Sequence, residues 1–308
     1  MRVSLLVLAA ALASGCGEDP LPIDAPIDEA PRCNTTKQFG APVMLDSLNT
    51  DFDDATPRLF PDELGIVFSR TSAAGNYDLW TATRTNRDEP FGPPSLLTTV
   101  NSVNSELWPS QSSDGLTLIF DADRTTPGNF RIWMSTRAST SVPFGPPALR
   151  PELMNNEFHG ILANDRVLYF ASTARPGEGR ADIWRADVST TNTIGTPIAL
   201  VGGVNTDEDE VAPALTPDEK TIVFRRSTTT PPVPPSTTPT VEYDVYTASR
   251  STPQDGFGPS SKVDTLALPN IVETPSWVSP DNCALYGFTN APGGLAGNNL
   301  YVALRPQF

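Results

Sequence analysis

Histidine is nearly missing from this chain: among 308 residues there is one, His159, beside three cysteines and four methionines. A zinc site built from several imidazoles is therefore excluded, and a Ser-His-Asp triad would have to run through that single ring. Neither a G-x-S-x-G elbow nor a glycine-rich phosphate loop occurs. Positive charge is also scarce, with 21 Lys and Arg against 36 Asp and Glu and a formal net charge of -15. That balance argues against nucleic acid or an anionic lipid surface as a partner, and solubility alone accounts for it. After the first residues no apolar run approaches the roughly 20 residues of a membrane-spanning helix. No stretch shows a helical period with caps either. What is plentiful is proline, 32 residues, and glycine, 21, set between short runs of β-formers.

The N-terminus reads as a targeting segment. Arg2 supplies a positive start, Val3 to Ala13 form an apolar run too short to span a bilayer, and "LASGC" leads into Cys16. The segment resembles the lipobox of bacterial lipoproteins, with Ala13 where leucine is usual. The resemblance implies a signal peptide over residues 1–15 and a lipid on Cys16; cleavage leaving an unmodified cysteine is the alternative. Residues 16–32, which include "GEDPLPIDAPIDEAPR", are acidic, proline-rich and without hydrophobic period, as expected of an extended tether. Residues 33–308 remain for the folded domain. In an exported, oxidising setting Cys33 and Cys283 form an even pair, expected to bridge the start of the domain to its last segment, with two free thiols as the alternative.

One unit of slightly over fifty residues recurs five times. Its first phrase appears as "PRLFPDELGIVFSR" from Pro57, "PSQSSDGLTLIFDA" from Pro109, "GILANDRVLYFAS" from Gly160, "PALTPDEKTIVFRR" from Pro213 and "PSWVSPDNCALYGF" from Pro275. Each copy holds a turn at an Asp (Asp62, Asp114, Asp165, Asp218, Asp281) and a β-rich run after it. A second phrase carries an aromatic at Trp80, Trp133, Trp184, Tyr246 and Tyr301, and a third carries "FG" at Phe39, Phe91, Phe144 and Phe257, degenerate at Ile194. About four strand-sized runs per unit predict an all-β fold: a β-propeller of five blades of four antiparallel strands, a sixth divergent blade being the alternative. The first FG phrase has no unit before it and the last aromatic strand has none after it, so residues 39–45 are expected to complete the final blade and close the ring. The Pro/Thr-rich insert 227–240 in the fourth unit is expected to be a mobile loop.

The pattern P-x-x-x-x-D-G/E-x-x-I-x-F followed by D-I/L-W-x-A-T-R resembles the TolB-like, WD-like propeller repeat of bacterial envelope proteins, over about residues 39 to 308. The resemblance implies a domain of the cell envelope that presents loops and a channel mouth to other molecules.

Candidate sites follow from what recurs in register. Asp54, Glu106, Glu157, Glu210 and Glu273 stand near the start of each first strand, which lines the channel in a propeller. They form either a ring of acids at one mouth, able to bind a cation or a basic group, or caps of turns within their own blades. Asn49, Asp51 and Asp53 share an N-x-D-x-D spacing with Asn205, Asp207 and Asp209; that spacing is a candidate for Ca²⁺, although both copies lack the glycine and distal glutamate of a full calcium loop. No other cofactor is indicated. His159 stands where other copies carry Thr56, Trp108, Ala212 and Thr274, which suits a structural role better than a catalytic one. Asp78, Asp182 and Asp244 read as turn residues. The expectation is a monomeric, non-enzymatic binding or scaffold module, exported and membrane-anchored through Cys16, whose partner is an envelope protein, peptide or glycan. The alternative is a glycan hydrolase using carboxylates at the channel mouth.

Overall fold

The computed structural model describes residues 32–153, 156–230, 240–268, 271–292, 294–295 and 297–308. Residues 1–31, where the signal peptide, Cys16 and nearly all of the tether are expected, lie outside them. The described residues form five four-stranded antiparallel sheets arranged as the blades of a propeller. Blade 1 comprises β2 (Asp54–Leu59), β3 (Gly65–Thr71), β4 (Tyr77–Thr83) and β5 (Ser95–Leu96). Blade 2 comprises β6 (Glu106–Gln111), β7 (Thr117–Ala122), β8 (Arg131–Thr136) and β9 (Ala148–Leu149). Blade 3 follows with β10 (Glu157–Ala163), β11 (Val167–Ser172), β12 (Asp182–Asp187) and β13 (Ile198–Ala199). Blade 4 has β14 (Asp209–Leu215), β15 (Thr221–Thr230), β16 (Thr240–Ser249) and β17 (Ser261–Lys262). Blade 5 has β18 (Glu273–Val278), β19 (Ala284–Thr289) and β20 (Asn299–Leu304), and its outer strand is β1 (Val43–Met44), from the other end of the chain.

The FG phrase makes each outer edge. Its aromatic is buried, and its glycine donates a hydrogen bond to the last residues of the third strand: Gly92 to Thr83, Gly145 to Thr136, Gly195 to Asp187, Gly258 to Ser249 and, across the seam, Gly40 to Leu304. A Cβ on Gly40 would lie 3.0 Å from the Leu304 carbonyl, too close for that bond to survive unshifted. An arginine at the end of the third strand stacks on the phenylalanine: Arg84 on Phe91, Arg137 on Phe144, Arg250 on Phe257 and Arg305 on Phe39. In the third unit both partners change together, to Val188 and Ile194, which pair as an isolated bridge. The seam between the ends of the chain thus repeats the edge of every other blade. Cys33 and Cys283 form a disulfide beside it, with Cα atoms 5.6 Å apart.

A separate apolar cluster fills each of the five interfaces between blades. Phe224 and Tyr169 belong to the one between blades 3 and 4, and Phe39 and Tyr301 to the one between blades 4 and 5. The insert departs from expectation in part. Ser227 to Thr230 extend β15 and pair with Thr240 to Tyr243, because β-branched threonines suit an extended ladder; residues 231–239 lie outside the described ones. The innermost strands β2, β6, β10, β14 and β18 neighbour one another around the channel. Each carries a bulge near its middle. In blades 1 to 4 the bulge begins at a residue of positive φ: Thr56, Trp108, His159 and Ala212.

Candidate functional site

The five acids at the blade starts do not form an open ring. Each is completely buried, and in four blades it faces an arginine of its own blade: Asp54 with Arg70 at 2.6 Å, Glu106 with Arg124 at 3.0 Å, Glu157 with Arg175 at 2.5 Å and Glu210 with Arg226 at 2.7 Å. The carboxylates of Asp54, Glu106 and Glu210 also accept hydrogen bonds from the backbone N–H and hydroxyl of Thr50, Ser102 and Thr206, respectively. Each of these residues lies four positions earlier. The arginines lie over the blade aromatics, Arg70 between Phe68 and Trp80 and Arg226 between Phe224 and Tyr246. Arg226 also donates to the Val204 carbonyl at 2.8 Å, and Arg70 and Arg124 donate likewise to Leu48 and Val100. Burial pushes the carboxyls of Asp54, Glu106 and Glu210 up despite the opposing pull of their hydrogen bonds and arginines. The repeat copies an interlock between loop, first strand and second strand, so these positions turn away from the channel mouth.

Blade 5 departs from this arrangement. Glu273 pairs across the ladder with Thr289, where blades 1 and 4 have arginine, and neither of its carboxyl oxygens has a hydrogen-bond partner among the described residues. Burial pushes its carboxyl up to about 7. A carboxyl held more easily protonated in the folded than in the unfolded chain stabilises the fold at low pH. That contribution is lost as pH rises from the unfolded value, about 4.3, to about 7, and beyond that the loss is complete. Glu273→Gln is expected to remove this dependence and to raise stability at pH 8 by about 1–2 kcal/mol, allowing for solvent screening. Urea unfolding at pH 5 and 8 checks it: parallel pH profiles for variant and wild type would exclude Glu273 as the source.

The N-x-D-x-D segments do not converge on a cation. Asn49 accepts from the Leu300 N–H and donates to its carbonyl, and Asn205 does the same to Ile183. Asn101 clamps Leu79 identically. Each asparagine thus ties the start of one blade to the third strand of the blade before it. Asp53 accepts from the backbone of Asn298, and Asp209 pairs with Arg180 and caps Ala181. Asp51 and Asp207 join neither arrangement, and no cluster of three or more acid, histidine or cysteine side chains suited to a metal ion exists among the described residues. The alternation that suggested calcium is therefore a clamp followed by turn acids.

The channel itself is occupied. The Trp108 ring lies 3.8 Å from that of His159 and 5.9 Å, edge-on, from that of Phe288. Nδ1 of His159 accepts from the Ala212 N–H at 3.3 Å, and its own backbone N–H donates to Asp121 at 2.6 Å. Burial, together with the charges of Arg225 and Arg58, holds the imidazole well below its ordinary pKa, so it is neutral at physiological pH. Arg225 donates to Thr274, and Arg58 reaches across the channel to the Pro213 carbonyl at 3.2 Å. Burial lowers the Arg58 guanidinium to about 9 and raises the Asp121 carboxyl to about 8.

All five first strands contribute to a funnel of about 130 Å³ lined by Arg58 and running outward to Asp165 and Pro280. Asp165 is the one carboxylate in that lining, and it accepts from the backbone of Ser113 at 2.6 Å and from its hydroxyl. Arg58, Asp121, Arg225 and Trp108 were not singled out from sequence. The signal for Arg58 was present: at its place in the repeat the other units have Ser110, Ile161, Ala214 and Ser276.

No protein-family model matches the sequence, and no curated protein matches it. Solved structures do share its fold. TolB from Acinetobacter baumannii superimposes with a TM-score of 0.50 at 15% identity over 83% of this chain, which spans 55% of that protein. The α-L-arabinofuranosidase of Podospora anserina gives 0.54 at 13% identity, covering 90% of this chain and 99% of the enzyme. A mannose phosphorylase of Leishmania mexicana gives 0.51 at 11% identity, covering 88% and 89%. The chain is thus a five-bladed propeller that is TolB-like in fold, and at such identities the likeness to these proteins is one of fold alone.

Proposed function

We propose that the chain is an exported, lipid-anchored propeller of the bacterial cell envelope that binds a partner at its channel mouth and carries out no chemistry on it. The observation carrying this reading is the disposition of the carboxylates. Glycoside hydrolysis needs two of them flanking one bond, roughly 5–5.5 Å apart for retention or 6.5–9.5 Å for inversion. Here four of the five recurring acids are each consumed by an arginine, the fifth, Glu273, is completely buried away from the funnel, and among the described residues the funnel lining holds one carboxylate, Asp165. Its wall is otherwise mostly apolar, with a few neutral amides and hydroxyls, the mixture of a binding surface.

The test pairs capture with turnover. Wild-type protein is expected to retain an envelope partner from native membranes, and Ser113→Trp, which fills the exposed rim of the funnel, is expected to lose it with only a small change in melting from the lost hydroxyl bond to Asp165. Release of reducing sugar from a glycan panel would overturn the reading in favour of a hydrolase. Cys16→Ser should move the protein out of the membrane fraction; unchanged fractionation would remove the anchor from the proposal.

A further inference from the structure

The geometry points to the floor of the funnel as a receptor for the C-terminal carboxylate of a partner peptide chain, with Arg58 as the group that takes it. This rests on the proposed role of the channel mouth in binding and names the chemistry of what enters it.

Arg58 is unlike the arginines of the interlocks. Arg70, Arg124, Arg175 and Arg226 each meet a carboxylate within 3.0 Å and lie over an aromatic ring. Arg58 is 5% exposed and reaches from innermost strand β2 to innermost strand β14, and no carboxylate comes within ion-pair distance of it among the described residues. One Nη donates to Pro213, and Nε has no partner. A buried guanidinium left in this state costs free energy that an arriving anion recovers by forming charge-assisted hydrogen bonds. Other units of the repeat need no cation here, since Ser110, Ile161, Ala214 and Ser276 suffice to line the channel. The arginine is an addition to the scaffold rather than part of it.

The funnel above decides which carboxylate fits. A volume of about 130 Å³ exceeds what a single small anion fills; it suits a carboxylate with a short alkyl group attached. The surrounding wall includes Leu59, Leu162, Leu215, Val278, Pro217 and Pro280. An acidic sugar would bring more hydroxyls than the few polar groups of that wall, Ser110, Gln111 and Asn164 among them, can partner, whereas the last residue of a peptide brings one carboxylate and an apolar side chain. The overall charge of -15 does not forbid this, because exposed acids more than about 8 Å away are screened by salt while Arg58 acts in direct contact.

N-acetylleucine and N-acetylleucinamide differ only in the carboxylate and serve as probes in ligand-observed NMR titrations of the whole chain, with glucuronate as a third. The acid is expected to bind about tenfold more tightly than the amide. Arg58→Gln should abolish that preference and Arg58→Lys should keep part of it; the wild-type comparison stands even if a variant misfolds. Equal binding of acid and amide, or no binding of either, would overturn the proposal. Tighter binding of glucuronate than of N-acetylleucine would overturn it in favour of a glycan. If Arg58→Gln captures the envelope partner as well as wild type while Ser113→Trp does not, the carboxylate receptor falls and the binding role stands. If wild type captures nothing, the binding role itself falls.

Discussion

Deleting residues 39–45 is expected to unfold the domain near physiological temperature, whereas deleting 231–239 should leave its melting almost unchanged. The first deletion removes Phe39, 1% exposed within the cluster between blades 4 and 5, and loss of such an aromatic costs about 3–5 kcal/mol. It also removes β1 with its pairing of Val43 to Val302 and Met44 to Tyr301. The hydrogen bonds from Gly40 to Leu304, Leu45 to Leu300 and Thr265 to the Phe39 carbonyl go with it, and Arg305 loses its stacking partner. β20 would then present an unpaired edge, inviting association between chains. Together these losses rival the whole stability of an ordinary domain, about 5–15 kcal/mol. The second deletion joins Thr230 to Thr240, so the outermost pairs of the β15–β16 ladder give way to a tight turn, while the pairs from Thr221–Ser249 to Ser227–Tyr243 remain, and loop length has a weak entropic effect. Calorimetry of both variants under oxidising conditions checks this, and equal melting would contradict closure by the N-terminal strand. Reducing the Cys33–Cys283 bridge, which spans 250 positions, should add a further loss of up to about 5 kcal/mol.

Glu210→Ala should be strongly damaging, lowering stability by about 3–5 kcal/mol. The substitution leaves Arg226 buried over Phe224 and Tyr246 with no carboxylate, and it also frees the Thr206 N–H and hydroxyl. Removing both charges tests the cause. Glu210→Leu with Arg226→Met is expected to recover much of the loss, since the cost lies in the orphaned cation rather than in the absent pair. Urea titration of the two single variants and the double variant gives the coupling. Additive losses would mean that the pair contributes nothing beyond its separate packing. The same substitution logic at Glu273 carries the opposite sign, because that carboxyl has no arginine to leave behind.

Much of the architecture was legible because a propeller is written as a repeat. The phrases from Pro57, Pro109, Gly160, Pro213 and Pro275 predicted five blades, and the unmatched FG phrase at Phe39 predicted where the ring closes. The candidate site was read less well. Register located the five acids correctly near the first strands but said nothing about which way they face. That depends on arginines sixteen or eighteen positions later in the chain and on the hydroxyls of the preceding loop. Asn49 looked like a calcium ligand because the Leu300 backbone it holds lies 251 positions away.

The sequence by itself determined the repeating unit, its five copies and the seam, since each is a matter of pattern and period that copies along the chain, while the five sheets of the structure removed the sixth-blade alternative. Tertiary structure alone decided what the channel contains. Arg58, Asp121, His159 and Arg225 come from four different blades, one from each, and they influence one another only because ring closure carries four separate strands to a common axis. At that distance from water, charges that would be independent in an extended chain shift one another, and an arginine that merely interrupts a repeat becomes the unpaired cation at the floor of a funnel.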